Sequence, residues 1–356
     1  MVTHRVRTLV VSDLHLGSVL RRDVLRRAVA LESLTAAAAR ADRLVLLGDT
    51  LELLEGRSDE AAQVGEPVLR ALAAALPGGA QVVVVPGNHD HALIRSWLAA
   101  RVQAGRPLRP ATRVPRSASE LLSELCAWLK PARVEVRYPG AWLAPDVYAT
   151  HGHYLDRLLP AALRGRLREL DPTPRATVED FERAPGADAG SVSETLASIL
   201  PDGIGESISS ATGQARRALL AGLPTLATIP GMRGAASLAA LAMEQGIHRR
   251  GAIPAMDEVA HRLRLPARWV IFGHIHRRGP LPGDPAGLWR PRGRGGPRLL
   301  NSGSWVFDSA LTGPAERPAA ERPYRPGGAV VLEPRRNPRV VDLLGDVPDR
   351  SLRARV

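Results

Sequence analysis

Short β-branched runs alternate with stretches that carry apolar residues at helical spacing through the first half of the chain. Residues 6–11 predict a buried strand ending in Ser12-Asp13, and residues 19–40 predict a helix. A second buried strand, 44–47, ends in Gly48-Asp49; a helix over 66–76 leads to a third strand, 81–85, ending at Pro86-Gly87-Asn88. Another helix is predicted over 92–101. This β-α-β-α-β order implies stacked strands with helical crossovers, an α/β protein. In such sheets ligands gather outside the carboxyl ends of the strands.

Residues 104–118, rich in Arg, Pro and Ala, predict a loop, followed by a helix over 119–129 and strands over 133–138 and 146–150. The last of these delivers His151. From about 155 to 254 the strand pattern disappears. Helices are predicted over 155–170, 191–200, 208–221 and 235–246, broken by Asp171-Pro172, Pro201-Asp202-Gly203, Pro224 and Pro230-Gly231. A helix over 256–263 and a strand over 269–272 then lead to Gly273-His274. Residues 279–297 and 311–327 predict irregular loops, while 299–304, 328–332 and 339–344 predict late strands or turns that close the sheet. The organisation implied is a discontinuous core (1–154 and 255–346), a helical insert or cap (155–254) and a C-terminal tail (347–356).

Composition changes this picture little. Of 356 residues, 45% are hydrophobic and 24% charged, as in an ordinary globular protein, and aromatics at 4% leave packing to aliphatic side chains. The net charge of +12 raises the question of nucleic acid or other phosphorylated partners. Lys130 is the one lysine, so arginine carries the charge, a bias that GC-rich coding produces by itself. No basic stripe interleaved with aromatics marks a nucleic-acid track. Cys126 is alone, which excludes an intramolecular disulfide and favours a reducing compartment. The first strand begins almost at the amino terminus and no run of about 20 apolar residues occurs. The expected location is the cytoplasm, with the insert a candidate for contact with the inner face of the membrane.

The chemistry sits at the strand ends: Asp13 and His15, Asp49, Asn88-His89-Asp90, His151 with His153, and His274 with His276. Residues two apart on an extended chain share a face, so Asp13 and His15 can address one cation, as can His274 and His276. Asp49 is a carboxylate able to bridge two cations, and Asn88 adds a neutral amide oxygen. Mixed oxygen and imidazole donors suit manganese, iron or zinc, and their convergence from five strand ends fits a two-metal hydrolytic centre.

This ordered series resembles that of the calcineurin-like metallophosphoesterases: Asp-x-His, Gly-Asp, Gly-Asn-His-Asp, a lone His, then Gly-His-x-His, spanning residues 11 to 276. The resemblance implies a four-layer α/β/β/α sandwich, two β-sheets flanked by helices, with a dinuclear centre on its rim. By position, Asp13, His15 and His276 would bind one divalent metal ion, Asn88, His151 and His274 the second, and Asp49 would bridge. His89 falls on the family's non-ligand histidine, which protonates or stabilises the leaving oxygen, with Asp90 orienting it. Attack by a metal-bound hydroxide on a phosphoester or pyrophosphate is the reaction implied. His153 is open between a substrate-side group, a ligand in place of His151 and a supporting hydrogen-bond partner. Asn301, Gly303 and Ser304 resemble a turn that supports the site in this family.

The Ser-Asp-Leu-His-Leu start and the large insert between His151 and His274 are similar to the UDP-2,3-diacylglucosamine hydrolase branch. That branch has Gly-Asn-Arg-Asp where this chain has Gly-Asn-His-Asp. Between Ala218 and Met243 the one charge is Arg233, an apolar stretch suited to core packing, an acyl pocket or a bilayer, with Arg216, Arg217, Arg249 and Arg250 beside it. The expected partner is a phosphorylated small molecule or lipid. The rival readings are a nuclease of the same fold and a non-catalytic metal-binding scaffold.

Overall fold

The computed structural model describes residues 6–163, 165–167, 176–183, 246–309 and 311–353. They divide into two compact units. One comprises residues 1–153, 265–308 and 314–356, the other 154–264 and 309–313.

The first unit is mixed α/β, with a large sheet and helices. In chain order its elements are β1 (Thr8–Val11), α1 (Ala28–Ala38), β2 (Arg43–Leu47), α2 (Ser58–Ala75), β3 (Gln81–Val85), α3 (Arg95–Gln103), β4 (Ala111–Val114), α4 (Glu120–Trp128), β5 (Arg133–Ala144), β6 (Val147–Thr150), β7 (Trp269–Phe272), β8 (Arg298–Asn301), β9 (Gly328–Leu332) and β10 (Arg339–Asp342). The strands run in the order β10-β9-β1-β2-β3-β5-β6-β7-β8, with β4 also on β5. The pairs β1–β2, β2–β3, β3–β5, β6–β7 and β7–β8 are parallel.

β5 is where the sheet turns. Its first half pairs with β3 and β4, its second half with β6. Gly140 lies at the change-over, where a Cβ would collide with the Ala149 carbonyl and the Tyr148 ring. One buried cluster then draws on strands from both sides of that turn. Val10, Val45, Leu47, Val83, Val85, Val330 and Leu332 come from one side; Val147, Ala149, Trp269, Ile271 and Leu300 come from the other. Residues two apart recur within strands, as expected when each strand commits one face to the core.

Three local departures from the expected pattern have identifiable causes. α1 starts at Ala28 rather than near residue 19 because Asp23, fully buried, holds the preceding loop: its carboxylate accepts from Arg26 Nε and the Gly17 backbone, and Val24 N–H bonds to Trp305 O. α2 begins eight residues earlier than expected and continues through Pro67. Its buried stripe of Ala61, Gly65, Val68, Leu69, Leu72 and Ala73 outweighs the hydrogen bond that proline removes. β4 lies inside the expected 104–118 loop, where pairing with β5 supplies an order that its composition does not show.

In the second unit, Leu159–Leu163, Val178–Arg183 and Ile253–Arg262 are helical, and a π-helical turn, His248–Ala252, precedes the last. The side chains of Leu159 and Leu163 fill the space beside Gly251, and the Tyr154 and Phe181 rings stack at 5.0 Å. The helices expected over 191–200, 208–221 and nearly all of 235–246, the end of the one over 155–170 and the apolar stretch 218–243 lie outside the described residues. Among the described residues no helix is long and apolar enough to cross a membrane.

Ile271 is fully buried on β7 within the shared core. Ile271→Ala is expected to cost about 2–4 kcal/mol and Ile271→Val about 1 kcal/mol, measured by urea unfolding of the full chain.

Candidate metal centre

Parallel registry decides where the polar residues emerge. β1, β2 and β3 are aligned so that Val11 faces Leu46 and Leu47 faces Val85, which puts Asp13, Asp49 and Asn88 at one edge. β6 and β7 do the same for His151 and His274, and the Gly273 N–H bonds to His151 O at 2.9 Å. The two sets meet where the Asp13 carboxylate accepts from His274 N–H at 3.0 Å.

The backbone at this edge is strained. Asp13, His15, Asp49, His274 and His276 have φ of 55°, 45°, 51°, 67° and 53°. Non-glycine residues rarely adopt this left-handed conformation, and each such position costs of order 1–3 kcal/mol. Five of the seven expected ligands thus hold a conformation that local preference opposes. Two glycines make room among them. Gly48, at φ 86°, lies against the His151 ring. Gly87 has ordinary φ, but a Cβ there would strike both the Asp49 carboxylate and His151.

Among the described residues the donors converge in three groups: Asp13 with His15 and His276, Asp49 with His151 and His274, and His15 with Glu52 and His89; the expected ligands make up the first two. In the first, His15 Nε2 lies 3.2 Å from His276 Nε2, which lies 3.3 Å from Asp13 Oδ1. In the second, His151 Nε2 lies 3.1 Å from Asp49 Oδ2 and 3.0 Å from Asn88 Oδ1. The same Asp49 oxygen is 3.7 Å from His15 Nε2, so it stands between the groups.

Partners fix the tautomers. His151 Nδ1 faces Leu47 O at 3.0 Å, and a carbonyl only accepts, so Nδ1 carries the proton. Nε2 then meets two oxygens with a lone pair of its own, an arrangement that needs a cation or an added proton. Burial resists charge on His151, yet Asp49 and Asp13 lift its pKa to about 10. Without metal, a proton takes the cation's place. Asp49 and Asp13 are likewise held below the usual carboxylate range: burial opposes ionisation, and the imidazoles around them overcome it. The donor set therefore suits hard or borderline divalent ions.

Glu52, which belongs to none of the sequence motifs, is central. Buried in the site, it accepts from His15 Nδ1 and from His89 Nδ1, each at 2.8 Å, and its other anchors are the Leu54 and Glu55 backbone N–H groups. The resemblance implies that Asp90 orients His89, but the carboxylate on that ring belongs to Glu52. Asp90 instead closes the strand-end loops, accepting from Gly87 N–H at 2.6 Å and Thr50 N–H at 2.8 Å. Its burial and the nearby Asp49 raise its pKa to about 6. Burial disfavours the charged form of His89, but Glu52 and Asp49 prevail and raise its pKa to about 9. The one signal for Glu52 in the sequence is position: it stands three residues after Asp49.

His153 joins neither ligand group. Its ring lies 5.6 Å from that of His151, and its Nε2 is 3.3 Å from the Tyr138 hydroxyl. Asn301 supports the last motif, donating to Gly273 O at 2.7 Å and accepting from Gly303 N–H at 2.8 Å.

Two expectations follow from this geometry. Gly87→Ala pushes a methyl group into Asp49 and His151 and should abolish cation binding at their group, as read by calorimetric titration with Mn²⁺. In chelated protein, His89 and His151 titrate above their unfolded value of 6.5, at about 9 and about 10. Their stabilising effect is complete below the unfolded value and disappears as pH rises through the folded values. The denaturation midpoint should therefore fall across that window, and His89→Asn should flatten the fall.

Comparison with curated proteins gives no match. The family description that matches is that of the calcineurin-like phosphoesterases, over residues 6–189, just over half of the chain and four of the five strand-end clusters. A family of metal-dependent phosphoester hydrolases accounts for the convergent donors, and the chain belongs to the calcineurin-like phosphoesterase family.

Proposed function

We propose that this protein is a dinuclear phosphohydrolase that cleaves a phosphoester or pyrophosphate bond. The observation that carries the reading is Asp49 Oδ2, set 3.7 Å from His15 Nε2 in one group and 3.1 Å from His151 Nε2 in the other. Asp13, His15 and His276 would hold one cation and Asn88, His151 and His274 the second, with Asp49 available to both. Manganese fits the mixed donors, with iron and zinc as alternatives. Two divalent ions there would supply positive charge for phosphate oxygens and make a water acidic enough to serve as the nucleophile.

The chain's own residues supply the rest. Glu52 fixes His15 so that Nε2 faces inward, and it keeps His89 protonated through Nδ1. A protonated His89 beside the centre is placed to hold a phosphate oxygen or give its proton to the departing oxygen. Asp90 keeps the Asp49 and Asn88 loops together.

The four-layer sandwich is part of this reading, supported by the core shared across the turn in β5. The substrate we favour is phosphorylated and lipid- or nucleotide-linked. Support comes from the apolar sequence between Ala218 and Met243 and from the insert's position between His151 and His274, as in the UDP-2,3-diacylglucosamine hydrolase layout. A cytoplasmic enzyme with peripheral membrane contact through the insert completes the proposal.

A Mn²⁺-loaded activity screen over p-nitrophenyl mono- and diesters, nucleotide diphosphate sugars and lipid pyrophosphates tests it. Asp49→Ala should be inactive on every substrate that the wild type cleaves; activity persisting there places the chemistry elsewhere. His89→Ala should keep both cations and lose about 10²–10⁴ in turnover. Full activity with unchanged metal content would refute its role.

A further inference from the structure

Beyond the ligand groups, the chain leaving His276 is held by a buried clasp. Arg277 is 3% exposed, and its two terminal nitrogens meet the Asp284 carboxylate at 2.5 and 3.1 Å. Asp284 also accepts from Trp289 Nε1 at 2.9 Å and from Leu281 N–H at 2.8 Å. The Trp289 ring centre is 5.2 Å from the guanidinium carbon, and the ring fills the space where a Gly279 Cβ would stand. Arg278 is held separately, its N–H on Pro323 O at 2.7 Å and its guanidinium on Asp342 at 2.5 Å. A buried arginine is tolerated only when paired, so these side chains fix the backbone from which they project.

His276 needs such fixing. Its φ of 53° opposes local preference, and its side chain is 32% exposed, so packing around the imidazole restrains it only in part. We propose that Arg277 and Asp284, braced by Trp289, are positioning residues for His276. They hold the left-handed backbone that turns Nε2 toward Asp13 and His15, and so set that group's affinity for its cation. This rests on the assignment of Asp13, His15 and His276 as ligands.

The test titrates chelated full-length protein with Mn²⁺ by calorimetry and records electron paramagnetic resonance spectra at one and two equivalents. Wild type should take up two ions. Asp284→Asn keeps the shape but removes the charge, and should weaken one of the two sites about 10–100-fold while leaving the other unchanged. At one to two equivalents its spectrum should then show isolated Mn²⁺ where the wild type shows a coupled pair. Trp289→Phe keeps the ring but loses the N–H, and should act in the same direction more weakly; it carries the test if Asp284→Asn folds poorly. Wild-type affinity at both sites in the variants, or equal weakening of both, would overturn the proposal. A wild type that binds no Mn²⁺ would overturn the ligand assignment itself, and the clasp with it.

Discussion

Acceptors that crowd one another until a cation or an added proton comes between them dominate this structure. His151 Nε2 meets oxygens of Asp49 and Asn88 because the Leu47 carbonyl has already claimed its Nδ1 proton, and His15 turns Nε2 toward the ligand group because Glu52 holds its Nδ1. Buried acceptors of this kind repel unless a cation or a proton lies among them. The positive φ values, the glycines at 48 and 87 and the Asn301 and Asp90 anchors can all be understood as means of keeping that unfavourable arrangement in place.

Its energetic support is distributed. Strand ends are pinned across motifs, His274 N–H by Asp13, His89 N–H by Asp49 and Thr50 N–H by Asp90. Strain at five positions is sustained because the rigid sheet beneath fixes the points from which the loops leave.

Much of this is legible in the chain. The run Leu44–Leu47 and the valines at 82–85 are apolar enough, and close enough to Asp49 and Asn88, to mark strands with ligands at their mouths. Periodicity carries that information because burial on both faces leaves continuous apolar runs. Glu52 escapes because its immediate neighbours, Leu51 and Leu53, are apolar and its partners, His15 and His89, are 37 residues away on either side. The resemblance, carried over by position, pairs Asp90 with His89, whereas the Asp90 carboxylate accepts from the Thr50 and Gly87 backbone. β4 and the length of β5 escape because their order comes from cross-strand pairing rather than local pattern.

The donor set also carries a charge argument. Among the seven proposed ligands, four are imidazoles, one is an amide and two are carboxylates. Two divalent ions would bring four positive charges and the carboxylates would offset two, so the centre would keep a positive excess toward a phosphoryl group. An aspartate in place of Asn88 would remove half of that excess while preserving shape. Glu52 adds a third negative charge, but His89 in its protonated form compensates it directly. The pair can therefore stand beside the centre without reversing its sign.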